Sequence, residues 1–254
     1  KAPTATPTIK PIQDPMLEAQ YLKDDMNEFG FTFGTVMNYS QLSNKYYTEM
    51  VKKEMQSITA ANEMKAYSLL SQSGCQNSAD GMPVMDYTQG DAIVAFAQEN
   101  GLGVRGHVLV WDAYMSDWFY REGYKNDGAY VDSETLKARL KSYIDQVVTH
   151  YETEFPGVVY CWDVVNEAVG DGGDYDKEDP RHIRLTRSGT ENMFRTIIGP
   201  DYVEFSFACA RETVEKLQAK NPDVSIDLFY NDYNTFYDDK RNAVIELVKS
   251  INSY

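Results

Sequence analysis

Positive charge is scarce in this chain. Its 254 residues hold 24 lysines and arginines against 39 aspartates and glutamates, a net charge of −15 with a pI near 4.6. A surface of that sign repels nucleic-acid phosphates and anionic membranes, so a neutral polymer is an easier partner. Solubility alone explains the same acidity equally well. Long apolar runs are missing too: with 43% hydrophobic residues, no stretch reaches the roughly 18 consecutive apolar residues that would span a bilayer. Three cysteines, Cys75, Cys161 and Cys209, cannot all pair within one chain, and none has the CxxC spacing of metal or redox work. Internal repeats are absent as well, and the opening residues are not expected to act as a signal peptide. The chain opens instead on Lys1-Ala2-Pro3-Thr4-Ala5-Thr6-Pro7-Thr8, the composition of an extended linker. Residues 1–15 are therefore expected to be a tail, fitting a processed secreted protein or a boundary between modules.

What the chain does contain is an alternation of strand-like and helix-like segments, the pattern of a parallel α/β fold. Strands are predicted near Phe31–Met37, Gln56–Ala61, Gly103–Val110, Val158–Val165 and Ser225–Phe229. Amphipathic helices are predicted over Gln89–Glu99, Ser133–His150, Asp201–Lys220 and Asp238–Asn252, with apolar residues recurring at three and four as in Leu136, Leu140 and Tyr143. That makes five βα units, whereas a closed (β/α)8 TIM barrel needs eight strands. Three more units require on the order of 100 further residues. Residues 16–254 thus read as the first five units of such a barrel, truncated or split before the sixth strand.

Chemistry is concentrated where these strands end. The run Val158-Val159-Tyr160-Cys161-Trp162 has the β-branched and aromatic enrichment of a buried parallel strand, and it closes on Asn166-Glu167. Catalytic groups of (β/α) barrels sit at the C-terminal ends of strands, which makes Glu167 a candidate general acid. Taken alone, the pair also reads as a solvated glutamate opening a loop. Two further strands turn polar in the same way: Val104-Arg105-Gly106-His107-Val108-Leu109-Val110-Trp111-Asp112 and Ile226-Asp227-Leu228-Phe229-Tyr230-Asn231-Asp232-Tyr233-Asn234.

With Ser57-Ile58-Thr59-Ala60-Ala61-Asn62-Glu63-Met64-Lys65, these segments resemble, in residues, order and spacing, the signature segments of glycoside hydrolase family 10. The best-known members of that family are endo-β-1,4-xylanases. The resemblance runs from about Leu22 to the end and includes Ile198-Gly199-Pro200-Asp201-Tyr202-Val203. It implies a retaining hydrolase of internal β-1,4 bonds in xylan or xylo-oligosaccharides, acting outside the cell, with Glu167 as general acid/base. It also implies that Asn166 bonds the hydroxyl next to the reacting carbon and that Asn62, Lys65 and His107 hold sugar. Trp111 would wall the sugar while packing the core, and Tyr233 would touch the leaving-group side.

The family's nucleophilic glutamate belongs to a seventh strand that five units do not supply. Retaining glycosidases need two carboxyl groups roughly 5–5.5 Å apart. Of the local substitutes, Glu63 is expected to point away from Asn62 by strand alternation, and Asp232 to serve as a structural hydrogen-bond acceptor. The nucleophile is therefore expected from a complementary C-terminal fragment carrying strands six to eight. Hydrolysis of another β-glycoside, or a non-catalytic carbohydrate-binding half-barrel, stands as the alternative.

The chain departs from the family pattern at one sugar subsite. Ala61 stands where a glutamate is usual, and Trp111-Asp112-Ala113-Tyr114 replaces Trp-His-Ser-Gln. Losing those polar groups weakens the grip on unsubstituted xylose by about 1–3 kcal/mol; Ala61 leaves room for a decorated backbone and Tyr114 offers a stacking face. The acidic loop Asp171-Gly172-Gly173-Asp174-Tyr175-Asp176 lacks the distal glutamate of an EF-hand and reads as a solvated surface loop. No metal or organic cofactor is expected.

Overall fold

The computed structural model describes residues 21–254, so the predicted tail at 1–15 and its boundary at residue 16 lie outside the described residues. The elements run α1 (Leu22–Glu28), β1 (Gly34–Met37), α2 (Lys45–Glu54), β2 (Ser57–Ala60), α3 (Ala66–Leu69), α4 (Gln72–Gln76), α5 (Thr88–Glu99), β3 (Gly103–Val110), α6 (Ser133–Glu154), β4 (Val159–Asn166), β5 (Thr186–Arg187), β6 (Thr190–Glu191), α7 (Met193–Ile198), α8 (Tyr202–Lys220), β7 (Asp227–Asn231) and α9 (Asp238–Ser253).

Five of these strands form one parallel sheet in the order β1-β2-β3-β4-β7. All five predicted strands are present. The first is shorter than expected, beginning at Gly34, and the last is shifted by two residues, from Ser225–Phe229 to Asp227–Asn231. The predicted helices stand with ends displaced by four residues or fewer.

Helix α6 shows how the sequence builds the outer layer. Asp132 caps it by accepting a hydrogen bond from the Thr135 amide at 2.7 Å, which pairs one of the amides that every helix start leaves without a partner. Leu136, Leu140, Tyr143, Ile144, Val147, Val148 and Tyr151 then recur at helical spacing and are fully buried. The sheet answers with Trp162, which lies opposite Gly106 in register. A Cβ on Gly106 would sit 2.4–2.8 Å from the indole, so only glycine lets this ring lie flat on the neighbouring strand. Full burial of a side chain this large is worth roughly 3 kcal/mol or more.

Alternation along β3 and β4 sends Gly106 and Trp162 outward to the helices. Arg105, His107 and Asp163 go to the concave face, where they line a hollow of about 390 Å³ with Val36, Thr59 and Asn231. That inner face is open at both edges: Val36 on β1 is 55% exposed and Phe229 on β7 is 41% exposed.

Two segments differ from their sequence reading. The acidic loop lies at the surface, as read, but is also tied down: Arg184, itself almost fully buried, pairs with Asp171 at 3.3 Å and Asp174 at 3.1 Å, and Lys240 reaches Asp171 at 3.4 Å. The hairpin β5–β6 was not expected at all. Its turn is Ser188-Gly189, both at positive φ of 48° and 82°, the backbone twist that two-residue hairpin loops favour. The three cysteines are free and buried.

Candidate active site

The C-terminal ends of β2, β3, β4 and β7 bring the sequence-predicted residues to one rim. Strand β2 stops at Ala60, so Asn62-Glu63-Met64-Lys65 form a turn and the alternation argument for Glu63 does not apply. The Glu63 carboxylate is buried and accepts from the Tyr39 amide at 2.7 Å and the Asn62 amide at 3.0 Å. That pins the turn and leaves the side chains of Asn62 and Lys65 facing each other, Nζ to Oδ1 at 3.0 Å. The ammonium lies 5.3 Å from the ring centre of Trp111 and 4.4 Å from that of Tyr114. Burial, opposed by the charges of Glu63 and Glu167, holds the lysine below its ordinary pKa of 10.5. Tyr114 is packed among protein groups: its ring lies by the Lys65 ammonium and is tilted against Trp111 at 4.4 Å and Tyr67 at 5.5 Å.

On β3 and β4, Asp163 is the organiser. Its fully buried carboxylate accepts from Arg105 through Nε at 3.1 Å and Nη2 at 2.5 Å, and pairs with His107 Nδ1 at 2.8 Å. A carboxylate on Nδ1 fixes the ring orientation and leaves Nε2 to face the hollow. Asn166 is buried, and its side-chain oxygen accepts from Asn231 Nδ2 at 2.8 Å, so strands β4 and β7 orient its amide together.

Glu167 follows at the strand end with φ of +54°. A non-glycine residue in the left-handed region is strained, and the surroundings must over-determine it. Here its amide donates to the Asn231 carbonyl at 2.8 Å, and its own carbonyl accepts from Arg187 Nη2 at 3.0 Å and Arg184 Nε at 3.3 Å. The carboxylate, one-fifth exposed, receives Arg187 Nη1 at 2.8 Å on Oε2. Arg187 in turn grips Asp112 twice, at 2.9 and 3.2 Å.

Tyr233 stands past the end of β7. Burial and then the Asp171 carboxylate raise its phenol above the ordinary value, with Glu167 adding to the same direction. Asp232 is occupied: it pairs with Lys240 at 3.0 Å, both side chains buried, and accepts from the Tyr230 hydroxyl and the Tyr233 amide.

A carboxyl group at a strand end, ringed by amides, an oriented imidazole and an aromatic wall, suits proton transfer to a sugar oxygen. The family model for Glycosyl hydrolase family 10 matches residues 21–254. The chain belongs to glycosyl hydrolase family 10. Its five parallel strands are the N-terminal portion of that family's (β/α)8 barrel.

Endo-1,4-beta-xylanase A of Thermotoga maritima is 37% identical over 248 residues, which cover 98% of this chain and 20% of that protein. Endo-1,4-beta-xylanase A of Butyrivibrio fibrisolvens is 30% identical over 244 residues, covering 89% of this chain and 54% of that protein. The xylanase 10B modules of Clostridium thermocellum, crystallised with xylohexaose, superpose with a TM-score of 0.76 at 28% identity, over 88% of this chain and 42% of theirs. The chain thus spans between a fifth and about half the length of these family members.

Within the family frame, sequence reasoning missed Arg187, Arg105 and Asp163. Arg105 and Asp163 stand beside named residues on the two strands: register sets Asp163 opposite His107, and Arg105, opposite Cys161, reaches the same carboxylate diagonally on the shared face. Arg187 sits in a hairpin between them and α7, and the Ser188-Gly189 turn was the available signal for that hairpin.

Proposed function

We propose that this chain is the N-terminal part of an endo-β-1,4-xylanase that cleaves internal bonds of xylan with retention, with Glu167 as general acid/base. The observation that carries the reading is the constrained backbone of Glu167 at the end of β4, beside sugar-holding groups of the right chemistry. Lys65 and Asn62 present a hydrogen-bonding pair, His107 a free ring nitrogen, and Trp111 with Tyr114 an aromatic wall. In the first step Glu167 protonates the departing glycosidic oxygen while a second carboxylate attacks the sugar carbon; in the second, the deprotonated Glu167 activates the water that releases the glycosyl group. Asn166, held by Asn231, would bond the adjacent hydroxyl as charge develops on the ring.

The nucleophile comes from outside these residues. Glu63 and Asp232 are both committed to buried hydrogen bonds and ion pairs, which removes the two local substitutes. We infer that the barrel's remaining three βα units, in the same polypeptide or in a complementary fragment, close the sheet over Val36 and Phe229. Ala61 opens the adjacent subsite to a decorated xylan backbone. The acidic surface and the linker-like composition of residues 1–15 support an extracellular place of work.

Xylohexaose is the test substrate. The reading expects hydrolysis with retained anomeric configuration when the complementary strands are present, and its loss in Glu167→Gln with binding kept. Binding of xylohexaose without hydrolysis in the complete assembly would turn the protein into a carbohydrate-binding half-barrel. Native mass spectrometry, which releases a second fragment of roughly 100 residues if the barrel closes in two pieces, separates the two arrangements.

A further inference from the structure

The ion triad Asp112–Arg187–Glu167 is a charged cluster on the rim whose arginine and aspartate the roles above leave without a purpose. Its members come from three distant segments: the end of β3, the β5–β6 hairpin and the end of β4. The guanidinium of Arg187 is largely buried and divides its donors. Nε and Nη2 hold the two oxygens of Asp112 at 3.2 and 2.9 Å, Nη1 holds Glu167 Oε2 at 2.8 Å, and Nη2 also reaches the Glu167 carbonyl at 3.0 Å. One planar fork therefore fixes both the carboxylate and the peptide of the same strained residue, and Oε1 takes no part in the pair.

We propose that Arg187 is the positioning residue for the proton donor, and that Asp112 is the counter-charge that keeps Arg187 from holding Glu167 in its ionised form. This rests on the reading of Glu167 as general acid/base. An arginine against a carboxylate favours the ionised form, which a proton donor must leave for part of each cycle. Asp112 answers that: its own side chain is only 5% exposed and takes the two-point contact, so the triad holds one cation between two anions. Burial disfavours the Arg187 charge, and the hydrogen bonds and charge of Asp112, with the charge of Glu167, more than restore it. The other charged or titratable groups that face Glu167 are Lys65 from the turn after β2, Arg184 at the start of the hairpin and Tyr233 after β7.

The pair is also matched to a sequence change. Asp112 stands where the family pattern has histidine, and Arg187 is what occupies its carboxylate. A neutral or cationic residue at 112 would leave Arg187 to Glu167 alone.

Two substitutions move the donor in opposite directions, which no loss of structure does. The titration midpoint of the Glu167 carboxyl, followed by carbon NMR in protein labelled at the glutamate side-chain carboxyl and assigned with Glu167→Gln, reads the geometry whether or not the chain hydrolyses xylan. Arg187→Ala is expected to raise the midpoint by about one pH unit and Asp112→Asn to lower it by a similar amount. The double variant falls between, and Arg187→Lys recovers part of the shift.

In the complete assembly the basic limb of kcat/KM on xylohexaose follows the same signs, while an aryl xylobioside with a good leaving group, which needs little proton donation, loses far less. Shifts of the same sign in both single variants, or none, overturn the proposal. An unsubstituted assembly that fails to hydrolyse xylohexaose overturns the acid/base reading instead, and the carboxyl titration still decides whether Arg187 and Asp112 bias Glu167.

Discussion

Two arginine–carboxylate centres stand on the same rim and are built on opposite principles. The Arg105–Asp163–His107 centre lies on adjacent strands, with His107 opposite Asp163 in register, Arg105 reaching the same carboxylate diagonally, and the aspartate fully buried. The Asp112–Arg187–Glu167 centre is assembled from three loop or strand-end segments, with Arg187 carried by a two-stranded hairpin. The first is part of the sheet and cannot move without it. The second is added on top of the sheet, so it can change without unfolding what lies beneath. The comparison teaches where such a barrel keeps its stability and where it keeps its adjustable chemistry.

The comparison breaks most easily at the two aspartates. Asp163→Ala takes a buried carboxylate from two partners at once, Arg105 and His107, and is expected to cost about 2–3 kcal/mol in urea unfolding, since the partly exposed Arg105 keeps some solvent. Asp112→Ala leaves Arg187 a second partner in Glu167 and is expected to cost about 1–3 kcal/mol. Equal losses would erase the distinction between a strand-built and a loop-built centre.

A smaller effect sharpens the strand side. Gly106→Ala drives a methyl to within 2.4–2.8 Å of the Trp162 ring. The expected loss is about 1–3 kcal/mol from overpacking, visible as a lower urea midpoint with tryptophan fluorescence as the probe. Because Arg105 and His107 flank this glycine, xylohexaose affinity should fall along with stability. Stability lost with affinity intact would detach the outer packing of β3 from its inner face.

The same contrast explains what could be read from the sequence. Strand β3 was legible to the residue, because Gly103–Val110 alternates buried and inward-facing polar positions before closing on Val108-Leu109-Val110, bounded by Gly101 and by a polar end. Glu167 was legible because it stands where such a run turns polar, and His107 because it sits in the Arg105-Gly106-His107-Val108-Leu109-Val110-Trp111 segment that resembles the family's. Strand β7 was displaced by two residues because Ser225 and Ile226 carry the same propensity as the residues that pair. Arg187 was beyond reach: it lies 75 positions from Asp112, and no periodicity links a hairpin tip to a strand end. Likewise the loop at Asp171 read as solvated because its cations, Arg184 and Lys240, are distant in the chain and nearly buried. The pattern of buried faces is local and repetitive, whereas charge pairing across loops depends on a fold already formed.

Lys65 provides the smallest effect, and it bears on the loop-built centre because Glu167, with Glu63 in its own turn, supplies the charge that offsets its burial. A folded pKa below the ordinary 10.5 means that the unfolded chain binds this proton more readily. The charged lysine therefore costs stability at every pH below its folded value, and the cost fades as pH rises to 10.5. Lys65→Met is expected to change the urea midpoint relative to the unsubstituted protein in a pH-dependent way, most favourably near pH 7 and progressively less so toward pH 10, while xylohexaose binding weakens at both. A midpoint difference that stays constant with pH would mean that the ammonium is as well solvated in the fold as out of it. The predicted slope bears on the proposed sugar contact: a lysine that the fold carries at a cost, held by Asn62 and two aromatic rings on the rim, is what a binding role predicts.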